Sequence, residues 1–415
     1  MSRLHRAGLL LASLALGACQ QDDGSGPLVI PELDYGTDAP WHPATPLPPP
    51  GPLGRALITN SKEDTLSLLD LDTVGAADWG ERARIPVGLN PVELEGPHHA
   101  AVSPDGAFYY VGISHYVEGG SGEGPHGSHG TGTVDGYSLK MDARTHRLVG
   151  SVRVDRNPGD LILGPGGRTL YQTHFDVLRI SEVFQRGGTE QEMSARLAIV
   201  DTQTMSRQAM VPVCPAPHAV RLSPEGRRAY IACYSDEVAV VDLVAPDHPV
   251  TRVKVAANAG SAVAPRHEPY ALTVSPTTGG VWISSLRSRS VQYLDPETLT
   301  VDPSRTVYLG GPPLFGAFRS DGNLLYMPYQ REDALALVDP ATGTVLREIP
   351  LAPSGCLNAH QVELLPGGAL GLVVCEGDHE GPGTLHVVDL REEKVVKTVE
   401  VGIFPDSVAL LRGAP

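Results

Sequence analysis

The chain has 415 residues, a formal charge of −16 and 41% hydrophobic residues, with 46 glycines, 37 prolines and five cysteines. Its acidic balance argues against nucleic acid or an anionic lipid surface as a partner. Glycine and proline recur every ten residues or so, which excludes long helices over most of the length.

The first element is an apolar run, "AGLLLASLALGAC", preceded by Arg3 and Arg6. It is too short to span a bilayer as a mature helix. It ends in Leu16-Gly17-Ala18-Cys19, which resembles the lipobox of bacterial lipoproteins. The resemblance implies cleavage of residues 1–18, acylation of Cys19 and attachment to a cell-envelope membrane through the N-terminal lipid. A plain secretory signal cut elsewhere is the alternative. Losing Arg3 and Arg6 takes the formal charge from −16 to −18. Residues 19–52 follow as the lipidated cysteine and a tether, with nine prolines between 20 and 52. At ~3.1 Å per residue, such a stretch holds a domain up to ~100 Å from the lipid.

Residues 53–413 are repetitive. "PHHAAVSPDG" at 97–106 returns as "PHAVRLSPEG" at 217–226 and "AHQVELLPGG" at 359–368. Seven copies begin at Pro97, Pro158, Pro217, Pro269, Pro313, Ala359 and Pro405. Six run into a glycine-bearing turn such as "SPEG" or "RSDG", and then into a second strand such as "RRAYIACYS". A third strand usually closes on aspartate, as in "VAVVDLV" and "ALALVDPATG", and a fourth leads to the next copy. Four short strands per repeat make the blade of a β-propeller. The domain opens with "RALITNSKEDTLSLLDLDT", a unit lacking its first strand, and closes with a lone first strand at 405–412. Joining the two fragments gives an all-β, seven-bladed ring closed by pairing the C-terminal strand with the N-terminal strands. Such closure removes the exposed sheet edge. "LITNSKEDTLSLLD", "YIACYSDEVAVVD" and the "SPDG" turn resemble the YVTN-type propeller repeats of bacterial surface and periplasmic proteins.

Beyond Cys19, the cysteines fall as Cys214 and Cys233 in one unit and Cys356 and Cys375 in another, each pair 19 residues apart. In both pairs the first lies three positions before the unit's start and the second seven after the turn glycine. Of the three possible pairings, only Cys214–Cys233 with Cys356–Cys375 respects the repeat. Disulfides fit an exported protein. Cys214-x3-His218 and Cys356-x3-His360 also place a thiol near an imidazole, so thiolate ligation of a metal is the alternative.

The second position of each innermost strand forms a ring at one mouth of the channel: His98, Gly159, His218, Tyr270, Leu314, His360 and Asp406. His98, His218 and His360 are the candidate ligands for copper or zinc through neutral imidazole nitrogens. His98, Tyr270, Asp406 and His174 are the candidates for contact with a small polar ligand. His174 ends a second strand at the place Cys233 and Cys375 hold, which brings it towards the same mouth. His99 is expected to point elsewhere, since neighbours along a strand alternate. A purely structural role in satisfying channel backbone is the competing account of the ring. The arrangement is similar to the copper-holding propellers of nitrous-oxide reductases, with far fewer histidines. Two insertions rise over this mouth: "GGSGEGPHGSHGTG" at 119–132, with His126 and His129, and "RISEVFQRGGTEQEM" at 179–193, with a short amphipathic pattern.

No P-loop, HExxH, EF-hand loop, G-x-S-x-G or C-x-x-C-H occurs. The first reading is therefore a lipid-anchored envelope module that binds a ligand or an envelope protein and is not an enzyme. The second is a metal-binding or redox-associated propeller working beside a partner such as a c-type cytochrome. The third is a lactonase-like hydrolase, which shares the fold although none of its catalytic residues is matched.

Overall fold

The computed structural model describes residues 47–89, 94–114 and 130–412. The signal segment, Cys19, the tether up to residue 46, and His126 with His129 lie outside the described residues. Within them are seven four-stranded antiparallel sheets. Six are consecutive in sequence. The seventh, here the first blade, joins Pro405–Leu411 to Arg55–Asn60, Thr65–Asp70 and Glu81–Pro86. Arg55 pairs with Leu411, Ile58 with Val408 and Asn60 with Pro405. At the start of this pairing Gly54 has φ +86°, and a Cβ there would lie 2.5 Å from the Leu411 carbonyl oxygen. Glycine is required at that point both for its backbone angle and for the close approach of two chain segments.

The fourth blade shows why these residues form these strands. Its strands are Pro217–Leu222, Arg228–Cys233, Glu237–Asp242 and Val250–Lys254. The middle two are buried on both faces, whereas the outermost alternates with exposed polar residues. The recurrent aspartate at the end of the third strand shapes the next turn. Asp201 Oδ1 accepts from the Gln203 and Thr204 amides at 2.9 and 2.8 Å, and Asp295 does the same with Glu297 and Thr298. A carboxylate bonding the backbone two and three residues ahead holds the chain in a turn without help from neighbouring blades.

The innermost strands share an irregularity that governs the channel. In the second blade, Pro97 pairs with Ile113 and Ala100 with Val111, so two residues, His98 and His99, face one residue of the partner. An equivalent shift follows Pro158, Pro217, Pro269, Ala359 and Pro405. In the sixth blade the Pro313–Tyr329 bridge and the Ala317–Tyr326 pair leave the same extra residue. Every blade thus carries a β-bulge at the ring position. Just before five of these strands, Asn157, Ala216, Glu268, Asn358 and Phe404 are left-handed, with φ between +41° and +61°. Such a bend and bulge re-aim side chains away from regular alternation.

The disulfides join as the spacing predicts, Cys214 to Cys233 and Cys356 to Cys375. Their place corrects the single-unit assignment. Cys214 lies in the outermost strand of the third blade, Ser206–Pro215, and Cys233 ends the second strand of the fourth. Cys356 sits between the outermost strand of the sixth blade and the innermost of the seventh, and Cys375 ends the seventh blade's second strand, Leu370–Cys375. Each bond staples neighbouring blades and leaves no thiolate for a metal. Paired cysteines belong to an oxidising, extracytoplasmic compartment. No helix of the described residues is long and apolar enough to cross a membrane.

Candidate metal centre

All the side chains of the predicted ring reach the axis and are buried: His98, His218, Tyr270, Leu314, His360 and Asp406 are at most 2% exposed. They lie beneath a seal, away from any open mouth. Phe175 enters the insertion before the helix Val177–Gln185, whose Ile180 and Val183 pack inward. Its ring stands 5.0 Å from His218 and 5.6 Å from Tyr270. Phe315 covers the centre of the cluster, 5.0 Å from His99 and 5.4 Å from His360.

The hydrogen bonds fix the imidazole tautomers. His98 Nδ1 faces Asp406 Oδ2 at 2.7 Å, and the same oxygen accepts from Ser61 Oγ at 2.5 Å. A carboxylate acceptor places the His98 proton on Nδ1. His218 Nδ1 lies 3.1 Å from the Tyr270 carbonyl oxygen, which can only accept, so its proton is on Nδ1 too. The His218 ring is stacked at 3.5 Å on the Tyr270 ring, fixing its plane. Both Nε2 atoms therefore turn lone pairs towards one another, and they stand 2.9 Å apart. Two lone pairs at that separation repel unless a proton or a metal ion lies between them. Ligand distances of about 2.0–2.1 Å with angles of about 90–110° put two imidazole nitrogens about 2.9–3.4 Å apart.

His99 corrects the alternation argument. It belongs with His98 and His218, and ligand atoms of all three lie within 4.8 Å of one another. The bulge is the reason, because two successive residues oppose one partner and both reach the axis. His99 Nδ1 is 3.5 Å from Asp160 Oδ1, while its buried Nε2 makes no hydrogen bond. Burial, and then the charge His98 would carry, hold His99 well below the usual imidazole range, so it is neutral and able to ligate.

His360 falls in a neighbouring group with Glu376 and Asp406. Its Nδ1 donates to the Asp406 backbone carbonyl, and its Nε2 is 3.9 Å from Glu376 Oε1. Glu376 also accepts from Gln330 Nε2 at 3.1 Å and meets His379 Nε2 at 2.7 Å. Burial, reinforced by Asp406, pushes Glu376 well above the carboxylate range. Asp406 links the two groups, holding His98 by its side chain and His360 by its backbone.

His174 does occupy the place of Cys233, opposite Pro158 as Cys233 is opposite Pro217. It does not join the centre. Its Nδ1 donates to the Arg196 carbonyl of its own blade at 2.5 Å, and its Nε2 accepts from the Asp155 amide of the second blade's outermost strand at 3.1 Å, so both nitrogens are used on backbone away from the centre. Sequence reasoning missed Asp160, Glu376 and Phe315. Asp160 is the third-position counterpart of His99, and the repeated Pro-x-x entry was the only signal for it. Glu376 and Phe315 have no repeat counterpart of like chemistry.

No family model matches the chain, and no curated protein matches it. Solved structures do. A functionally unknown protein from Desulfotomaculum acetoxidans superposes with TM-score 0.62 at 13% identity, over 87% of this chain and 99% of that one. Hydrazine synthase of Kuenenia stuttgartiensis gives 0.57 at 18% identity, over 78% and 93%. The dihydro-haem d1 dehydrogenase NirN gives 0.54 at 16% identity, over 89% and 78%. At such identities the likeness is one of fold, and the fold is the seven-bladed β-propeller.

Proposed function

We propose that this protein is a lipid-anchored envelope propeller of the YVTN-repeat kind whose axis holds one copper or zinc ion, an ion-binding module rather than an enzyme. The observation that carries the reading is the pair of Nε2 atoms of His98 and His218, turned on one another at 2.9 Å with both Nδ1 atoms facing oxygen acceptors. His99 supplies a third neutral imidazole. Imidazole sets favour copper and zinc over calcium or magnesium. The Asp406 carboxylate behind His98 is the outer partner that raises ligand basicity and fixes ring orientation. Ring stacking by Tyr270 and the cover of Phe175 and Phe315 make the site rigid and water-poor, suited to retaining an ion. A redox-associated role beside an envelope protein such as a c-type cytochrome is the second reading. It is favoured by an imidazole donor set, which suits redox-active copper as well as zinc, and by NirN, a dehydrogenase by name, among proteins of like fold.

Protein purified from an exporting host without chelators should contain close to one equivalent of copper or zinc. Replacing His98, His99 and His218 together by glutamine should abolish retention while cooperative melting persists, whereas His360→Gln should retain most of the metal. Wild-type protein that stays metal-free after titration with Cu(II) and Zn(II) overturns the proposal. In that case a shared proton between His98 and His218 accounts for the geometry.

A further inference from the structure

Below the histidines, towards the end of the barrel that carries the glycine turns, the axis widens into a cavity of ≈ 390 Å³. His99 and Asp160 stand at its inner end, and Ser103, Pro104 and Gly106 of a turn at its rim. One layer of this cavity is unlike the others. Arg221 and Glu363 occupy the fifth position of the innermost strands of the fourth and seventh blades, paired with Tyr230 and Leu372 of their second strands. In the other blades the same layer holds Ala101, Ile162, Thr273, Ala317 and Ala409, so two opposite charges face a space otherwise bounded by small or apolar groups.

Those two charges do not pair with each other. Among the described residues Glu363 makes no hydrogen bond or ion pair. Arg221, which lines the cavity, gives Nη1 to Asp160 Oδ2 and to the Val220 carbonyl, and its Nε and Nη2 make no hydrogen bond among the described residues. Its guanidinium carbon lies over the Phe315 ring, 5.1 Å from the centroid. Arg412 lines the outer part of the cavity with its side chain exposed. Both groups are half-buried at the cavity wall. Arg221 spends one nitrogen on Asp160, and Glu363 has no donor among the described residues, so the wall offers one carboxylate and part of one guanidinium to a ligand.

We propose that this cavity is a binding site for a zwitterionic α-amino acid with an apolar side chain. The ligand's carboxylate would lie on the Arg221 edge, its ammonium on Glu363, and its side chain against Leu161, Ile162 and Val408. A guanidinium edge takes a carboxylate through two parallel hydrogen bonds, and the carboxylate–ammonium pair completes a dipole opposed to that of the site. The volume falls within the range of small-molecule pockets and admits an amino acid with a branched side chain. The site adjoins the proposed metal centre at His99 but does not depend on it, because neither Arg221 nor Glu363 belongs to the imidazole set.

Calorimetric titration with leucine, 4-methylpentanoate and 3-methylbutylamine, on both metal-loaded and chelator-treated protein, tests this. Leucine should bind saturably, and each analogue that lacks one charge should bind at least about tenfold more weakly. Glu363→Gln should lower leucine affinity at least about tenfold, leave 4-methylpentanoate unchanged and preserve the melting transition. Binding of leucine in both metal states supports the site whatever the outcome for metal. Absence of saturable leucine binding in both states overturns it. Equal binding of 4-methylpentanoate also overturns it, making the cavity a simple anion site, and so does unchanged leucine affinity in the folded Glu363→Gln variant.

Discussion

At the scale of single residues, this channel is governed by what burial does to ionisable groups. Glu363 has its carboxyl pushed up to about 7 by burial, opposed by Arg412 and Arg221. The groups facing it across the cavity are those two arginines, His99 and the Asp160 carboxylate. A carboxyl with a raised folded-state pKa binds its proton more tightly when folded. It therefore stabilises the fold at low pH, and this contribution is lost as pH rises from the unfolded value near 4.5 through about 7. Glu363→Gln should thus match wild type near pH 4 and become more stable by about 1–2 kcal/mol above pH 8, the figure being reduced for water in the channel. Urea denaturation across this pH range reads the difference, and parallel curves for the two proteins would contradict it. His99 carries a similar lesson at closer range. A strand's simple alternation hides it, and only the bulge shared with Pro97 and Ala100 turns it inward.

At the scale of elements, the blades are joined by more than side-chain packing. The Cys214–Cys233 bond ties the outermost strand of one blade to the second strand of the next. Replacing both cysteines by alanine should lower unfolding free energy by about 3 kcal/mol, measured by denaturant titration, with peptide mapping confirming that Cys356–Cys375 remains. The helix Val177–Gln185 contributes a cover rather than a blade. Asp176 caps it by accepting from the Arg179 amide at 3.1 Å, and Phe175 before it closes the channel over His218. Phe175→Ala should cost about 3–5 kcal/mol if the gap does not collapse, and should speed removal of bound copper or zinc by chelator. An unchanged release rate would show that the ion exchanges from the cavity side instead. The spacing "CPAPH" made the cysteine pairing legible, because the repeat aligns both pairs. It did not reveal that each pair crosses a blade boundary, since a repeat drawn from sequence begins at an arbitrary phase and a blade does not.

At the scale of the whole molecule, stability depends on closure. Removing residues 404–415 deletes the innermost strand of the first blade, which pairs with Arg55–Asn60 from Arg55↔Leu411 to Asn60↔Pro405. It also removes Asp406, whose backbone and side chain hold His360 and His98. The truncated protein should lose cooperative melting altogether, as followed by near-ultraviolet circular dichroism. An unchanged transition would mean that six blades suffice without a closed ring. The acidic surface adds a weaker expectation, that added salt should change melting little where charges are paired locally, as in Arg252 with Glu237 and Arg156 with Asp176.

The sequence by itself determined the architecture, because that information is local and repeated seven times. Turn glycines, strand-closing aspartates and alternating apolar residues act within ten residues of one another, and the split first blade follows from the unmatched ends. It also determined that His98, His218, His360, Tyr270 and Asp406 share one level of the axis, since equivalent positions of equivalent strands must meet there. What only the tertiary structure decided is how those side chains divide. The bulge admitted His99, the Asp406 carboxylate and Tyr270 carbonyl set two imidazole tautomers, and His360 was drawn to Glu376. His174 was lost to the backbone of its own blade and of the one before it. These outcomes turn on which hydrogen-bond partner lies a few tenths of an ångström nearer, and that depends on residues up to 308 positions apart, as with His98 and Asp406.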